Sequence, residues 1–121
     1  MSKSIMIVED EKCYHDLYTV MLEETDYKII HAYDGNEAME RLEEEKPDLI
    51  ILDILLDMVT GDTFFLYLKG IPEFADIPII IVSNSSRRDY KNLNKIDPNL
   101  VFLSKNITRE RLIKEIKAKT G

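Results

Sequence analysis

The sequence predicts an α/β protein built on a doubly wound, five-stranded parallel sheet, and three observations predict it. Short apolar runs alternate with amphipathic segments along the whole chain. Three of the runs, 5–8, 49–52 and 79–82, contain no polar residue, as expected of strands buried on both faces beneath helices. The 121 residues are the size of one ordinary domain, 1–121, with no repeat, low-complexity tract or internal linker.

Taken in order, Ile5-Met6-Ile7-Val8 forms the first strand and runs into Glu9-Asp10. Tyr14, Leu17, Tyr18 and Met21 then recur at helical spacing. Lys28 to Tyr33 supplies a weaker second strand, and Asp34-Gly35-Asn36 offers a turn and cap for a second helix carried by Ala38, Met39 and Leu42. Glu43-Glu44-Glu45 reads as its solvated end, with Pro47 just beyond. Leu49-Ile50-Ile51-Leu52 is the third strand and ends at Asp53; Phe64, Phe65 and Leu68 mark the third helix, with Pro72 past its end. The fourth strand, 79–82, runs into Ser83. The fourth helix is the poorest, because between Ser85 and Pro98 only Tyr90, Leu93 and Ile96 are apolar. So shallow a stripe buries little and is expected to be among the least firmly held elements. Leu100 to Ser104 forms the fifth strand and leads to Lys105, and Thr108 caps a last helix carried by Leu112, Ile113 and Ile116.

Composition excludes several classes. A net charge of −7 with no basic stripe opposes direct nucleic-acid binding. Cys13 is the sole cysteine, so no disulfide framework exists within the chain, and its acidic neighbours oppose a reactive thiolate. No secretory or bilayer-spanning stretch occurs, which reads as a soluble cytoplasmic protein without membrane contact. His15 and His31 lack a partner at metal-ligand spacing and read as surface or structural residues.

The strand ends carry the chemistry. In a flavodoxin-like sheet of order 2-1-3-4-5, ligands sit outside the carboxyl ends of the strands, where the order reverses between strands 1 and 3. Glu9, Asp10 and Asp53 would crowd there, and their mutual repulsion calls for a cation. Carboxylates without nearby His or Cys favour Mg²⁺, which completes its shell with water and phosphate oxygens. Ser83 and Lys105 arrive at the same edge with a hydroxyl and an ammonium suited to phosphate.

These residues resemble the receiver domain of two-component response regulators, from Ile5 to Lys119. The resemblance rests on Ile7-Val8-Glu9-Asp10-Glu11, Asp48 through Leu52-Asp53-Ile54, Gly61 eight residues after Asp53, Ile80-Ile81-Val82-Ser83 and Phe102-Leu103-Ser104-Lys105, all in family order and spacing. It implies that Asp53 is the phosphoacceptor, that Mg²⁺ is held by Asp10, Asp53 and the Leu55 carbonyl, and that Glu9 is a further metal ligand or acts through water. Ser83 binds the phosphoryl group, Lys105 clamps it, and Phe102 is the aromatic switch. The implied partners are a sensor histidine kinase or phosphotransfer protein as donor, and a downstream protein or a C-terminal output domain absent from this chain. The protein would promote only its own phosphorylation and autodephosphorylation, changing the face formed by the fourth helix, fifth strand and fifth helix.

Three positions depart from the family pattern. Asp57 and Asn106 stand where proline is common, and Asn84 replaces a small residue beside Ser83. A cis bond before a non-proline residue costs about 2.5–4 kcal/mol, so the Lys105–Asn106 peptide is predicted to be trans, with some displacement of Lys105. Asn84 narrows the approach to Asp53 and Leu55 cannot orient water, which together predict slow reaction with small donors and a long-lived phosphoryl group. The alternative is a degenerate receiver that binds partners without phosphorylation. An aspartyl-nucleophile phosphohydrolase fits poorly, because Leu55 occupies the place of its second aspartate and there is no room for a cap domain. A flavodoxin-like electron carrier fits no better, because Glu9-Asp10-Glu11 would repel the cofactor phosphate.

Overall fold

A computed structural model of the protein describes residues 3–53, 61–83 and 93–121. The elements are β1 (Ser4–Val8), α1 (Lys12–Met21), β2 (Lys28–Ala32), α2 (Gly35–Glu44), β3 (Leu49–Leu52), α3 (Gly61–Lys69), β4 (Ile79–Ser83), α4 (Leu93–Ile96), β5 (Val101–Ser104) and α5 (Arg109–Thr120). The strands form one parallel sheet of order β2-β1-β3-β4-β5, as the alternation of apolar runs and helices predicts. Among the described residues no helix is long and apolar enough to cross a membrane.

Strand residues alternate between two apolar layers because successive side chains point to opposite faces. Met6, Val8, Ile50, Leu52, Ile79 and Ile81 meet Ala38 and Leu42 of α2, Phe64, Phe65 and Leu68 of α3, and Leu93 of α4. Ile5, Ile7, Leu49, Ile51, Ile80, Val82 and Leu103 meet Tyr18 and Leu22 on the α1 side and Leu112 and Ile116 of α5. The two layers explain why β1, β3 and β4 carry no alternation: both parities face a core. Phe65 is fully buried whereas Ile96 is 49% exposed. Phe65→Ala is therefore expected to cost about 3–5 kcal/mol in a urea titration, and Ile96→Ala less than about 1 kcal/mol.

The predicted caps are present. The Asp34 carboxylate accepts from the Glu37 N–H at 2.7 Å, and the Thr108 hydroxyl accepts from the Arg111 N–H at 3.2 Å. Arg109 fastens α5 to α1 by donating from Nε to the Met21 carbonyl at 2.8 Å. Lys69 of α3 pairs with Asp97, just past α4, at 3.1 Å, both side chains being largely buried. Of the weak fourth helix only Leu93–Ile96 lies within the described residues, together with one buried anchor, Leu93.

The first helix corrects one expectation. Leu17 does not join the core; it is exposed, with Val20, on the outer face. His15 takes the inward position beside Tyr18 instead. Burial of an imidazole is tolerated here because both ring nitrogens have partners, at 2.7 Å each.

Candidate functional site at the carboxyl edge of the sheet

Strand register alone brings the acidic residues together. Val8 of β1 pairs with Leu52 of β3, so the next residue of each strand, Glu9 and Asp53, emerge side by side. The emerging backbone stays in the ladder: Glu9 N–H donates to the Ala32 carbonyl at 3.1 Å and Asp53 N–H to the Val8 carbonyl at 3.0 Å. On the other flank Ser83 pairs with Ser104, which places Lys105 one step beyond the end of β5. Glu9, Asp53 and Lys105 share the strand parity of Ile7, Ile51 and Leu103, the parity that faces α1 and α5.

The geometry is compact and nearly dry. Glu9 is 1%, Asp53 4% and Lys105 9% exposed, and Asp10 is half-buried. Glu9, Asp10 and Asp53 each offer a carboxylate oxygen within 4.8 Å of the others. Lys105 Nζ lies 2.7 Å from Glu9 Oε1 and 3.0 Å from Asp53 Oδ2. One ammonium cannot balance three converging carboxylates. The imbalance shows in Glu9, whose pKa is raised from 4.5 to about 7. Burial is the main cause, a side-chain hydrogen bond with Asp10 and the Asp53 charge add to it, and Lys105 and the Glu11 N–H oppose it. Burial pulls Lys105 the other way, but its bonds to Glu9 and Asp53 outweigh that and hold it well above the ordinary lysine value.

The donor set fits a hard divalent cation. All three side chains supply oxygen alone, and Glu9 Oε1 is buried without a well-aligned hydrogen-bond donor, meeting Lys105 Nζ only as an ion pair. The folded protein holds a proton on Glu9 that the unfolded chain releases near pH 4.5, so without a cation stability falls as pH rises toward about 7. Denaturant midpoints of the metal-free protein are expected to be higher at pH 5.5 than at pH 8, with Glu9→Gln flattening the slope and added Mg²⁺ reversing it. A midpoint unaffected by pH in both proteins would contradict a strained acidic cluster.

Of the other predicted site residues, Ser83 is buried at the end of β4, and Phe102 on β5 is half-buried against the layer of α2 and α3. Leu55, Asp57 and Asn84 lie outside the described residues. No cis peptide occurs among the described residues, so Lys105–Asn106 is trans as expected. That bond still delivers Nζ to both carboxylates. The turn is closed by Asn106 N–H donating to Ser104 Oγ at 3.1 Å and Ile107 N–H donating to the Ser104 carbonyl at 3.1 Å.

Two neighbours of the site escape sequence reasoning. His15 approaches the Glu9 carbonyl through Nε2 at 2.7 Å, and its Nδ1 meets His31 Nδ1 at 2.7 Å. A carbonyl only accepts, so His15 donates from Nε2 and, being neutral, accepts from His31 at Nδ1. Burial lowers the pKa of both rings, and the neighbouring His15 adds to the shift of His31, which favours this neutral pair. Tyr14 lies across the top, with Lys105 Nζ 3.9 Å from its ring centroid. Helical spacing marks Tyr14 as apolar; that its ring covers a lysine 91 positions later depends on how α1 crosses the sheet end.

Comparison with known proteins identifies the family. Residues 5–117 match the response regulator receiver domain. The polar-differentiation response regulator DivK of Brucella anthropi is 33% identical over all 121 residues, which span 98% of that protein. Among solved structures, the signal receiver domain of a signal transduction histidine kinase from Syntrophus aciditrophicus has 31% identity and a TM-score of 0.87, covering 98% of this chain and 90% of that one. The receiver domain of a sensor histidine kinase from Pseudomonas aeruginosa, solved with a magnesium ion coordinated in its active-site cleft, shares the fold at 22% identity and a TM-score of 0.88, covering 100% and 99%.

Proposed function

The chain belongs to the receiver-domain family of two-component response regulators, and on that footing we propose that it is a cytoplasmic phosphorylation switch whose Asp53 accepts a phosphoryl group from a histidine kinase or phosphotransfer protein. The observation that carries the reading is the single edge at which Glu9, Asp10 and Asp53 converge with Lys105 against two of them.

Asp53 Oδ attacks phosphorus in line with the bond to the donor nitrogen; the Asp53 O–P bond forms, the P–N bond breaks, and the donor imidazole keeps the electron pair. Lys105 turns its ammonium from the Asp53 carboxylate to the transferring oxygens, so its charge is in place before the reaction begins. The largely buried pocket strengthens that interaction and limits access of water to the acyl phosphate. Glu9, Asp10, Asp53 and the Leu55 carbonyl would hold Mg²⁺, which when bound would offset charge on the phosphoryl oxygens. The new group carries roughly −1.5 to −2 charges. Ser83, at the end of β4, would donate its hydroxyl to it, drawing the following loop inward and making room for Phe102. The altered surface of α4, β5 and α5 would then be read by a downstream protein or by an output domain. The protein acts on no other substrate; the chemistry it promotes is its own phosphorylation and the hydrolysis that reverses it.

The test is intact mass after incubation with Mg²⁺ and either acetyl phosphate or a phosphohistidine donor. One phosphate per chain supports the reading. No adduct from either donor, despite Mg²⁺ binding, would replace it with a receiver that signals by binding alone.

A further inference from the structure

We propose that Tyr14 is a positioning residue for phosphoryl transfer, holding the Lys105 ammonium over the acidic cluster through the face of its ring; this role rests on the phosphorylation reading above. Lys105 Nζ sits 3.9 Å from the Tyr14 centroid, within the distance at which a ring quadrupole attracts a cation. The same nitrogen lies 2.7 Å from Glu9 and 3.0 Å from Asp53, so the ammonium is held between two carboxylates and an aromatic face. Its burial removes most of the water that would screen such an attraction.

The ring is itself fixed. Tyr14 packs against the layer of Tyr18, Leu22, Leu112 and Ile116, and its centroid lies 6.4 Å from that of Tyr18, a fully buried residue one turn along α1. The backbone around Lys105 offers less restraint, because the turn after β5 is closed by exposed Ser104 and Asn106.

The ring also differs from the carboxylates in a way that matters during the reaction. Glu9 and Asp53 are the groups whose partners change as a cation arrives or phosphate is added. Tyr14 attracts the ammonium in every one of those states. It therefore keeps Lys105 at the pocket while the carboxylates exchange partners, which restricts the geometry of an otherwise long and flexible side chain.

The experiment replaces Tyr14 with Phe, with mono-, di- and trifluorophenylalanine, and with Leu. Ring fluorination withdraws charge from the aromatic face while nearly preserving its shape, so a packing role would not respond to it. Two readouts are taken: the limiting rate and half-saturation concentration for acetyl phosphate, and the NMR shifts of the Lys105 ε-CH₂ protons in unphosphorylated protein. Tyr14→Leu is expected to lower the limiting rate about 3–30-fold, Tyr14→Phe to restore most of it, and successive fluorines to reduce it stepwise with little change in half-saturation. The Lys105 ε protons should be shifted upfield by the ring in the aromatic proteins and lose that shift in Tyr14→Leu. A flat rate across the fluorinated series, or ε protons without an upfield shift in the natural protein, overturns the role of Tyr14 while leaving the switch intact. Failure of the natural protein to form any adduct overturns the proposed function, and the role of Tyr14 in transfer with it, even where the NMR contact persists.

Discussion

Asp53→Ala is expected to abolish the phosphate adduct, with the initial rate falling by at least about 10³-fold with either donor, while the fold is retained. The size of the effect follows from how differently the three carboxylates are placed. Glu9 is almost wholly buried, and in the metal-free protein burial above all raises its pKa to about 7; with Mg²⁺ bound its carboxylate would be engaged by the cation rather than free to attack. Glu9 also leans on Lys105 at 2.7 Å and receives the Glu11 N–H on its second oxygen at 3.2 Å. Asp53 joins a backbone fixed by the Val8 carbonyl to a side chain 3.0 Å from Lys105, the cation that can follow the transferred oxygens. Intact mass and peptide mapping check the outcome. An adduct of undiminished yield in Asp53→Ala would move the acceptor to Asp10 or Glu9 and would sink the assignment. The same substitution removes one of the charges that raise the Glu9 pKa, so metal-free Asp53→Ala should lose stability less steeply than the natural protein between pH 5.5 and 8.

The convergence was legible in the sequence because it is written in strand ends. Apolar runs that admit no polar residue identify β1, β3 and β4, and the first charged or hydroxyl residue after each marks the carboxyl edge of a parallel sheet. What the sequence did not specify is register. The pairing of Val8 with Leu52 puts Glu9 beside Asp53, and a slip of one residue would have sent the two to opposite faces.

Helix α1 departs from its apolar periodicity for a definite reason. Periodicity counts histidine as polar and leucine as apolar, so Leu17 was expected inside; in the structure it is exposed, and His15 is buried. Two hydrogen bonds, to the Glu9 carbonyl and to His31, make that burial tolerable, and one partner comes from a different strand and cannot be anticipated from local pattern. The ring of Tyr14 over Lys105 is hidden by the same limit, since the pair belongs to elements at opposite ends of the chain. β2 reads weakly because it is an edge strand, where the polar residues Lys28 and His31 interrupt the apolar run.

Lys105→Met separates the two tasks of the lysine. In phosphoryl transfer it should lower the limiting rate about 10²–10³-fold, the usual cost of removing one preorganised stabiliser of developing charge. Lys105→Arg should rescue little, because a planar guanidinium cannot occupy the same point between Glu9, Asp53 and the Tyr14 face. In folding the sign depends on pH. Taking the cation from a buried pair leaves carboxylates uncompensated, commonly at a cost of about 3–5 kcal/mol. Glu9 can escape part of that by taking up a proton, and the loss of Lys105 removes one of the groups that hold its pKa down. The metal-free variant is therefore expected to be less stable than the natural protein by about 3 kcal/mol at pH 8, the low end of that range. The gap should narrow toward pH 5.5, where Glu9 is protonated in both proteins, and Mg²⁺ should recover much of the loss at pH 8 by supplying the missing positive charge. Urea titrations at the two pH values, with and without Mg²⁺, measure this directly. A destabilisation equal at both pH values and indifferent to Mg²⁺ would mean that Lys105 contributes packing rather than charge, and the clamp would then have to be sought elsewhere.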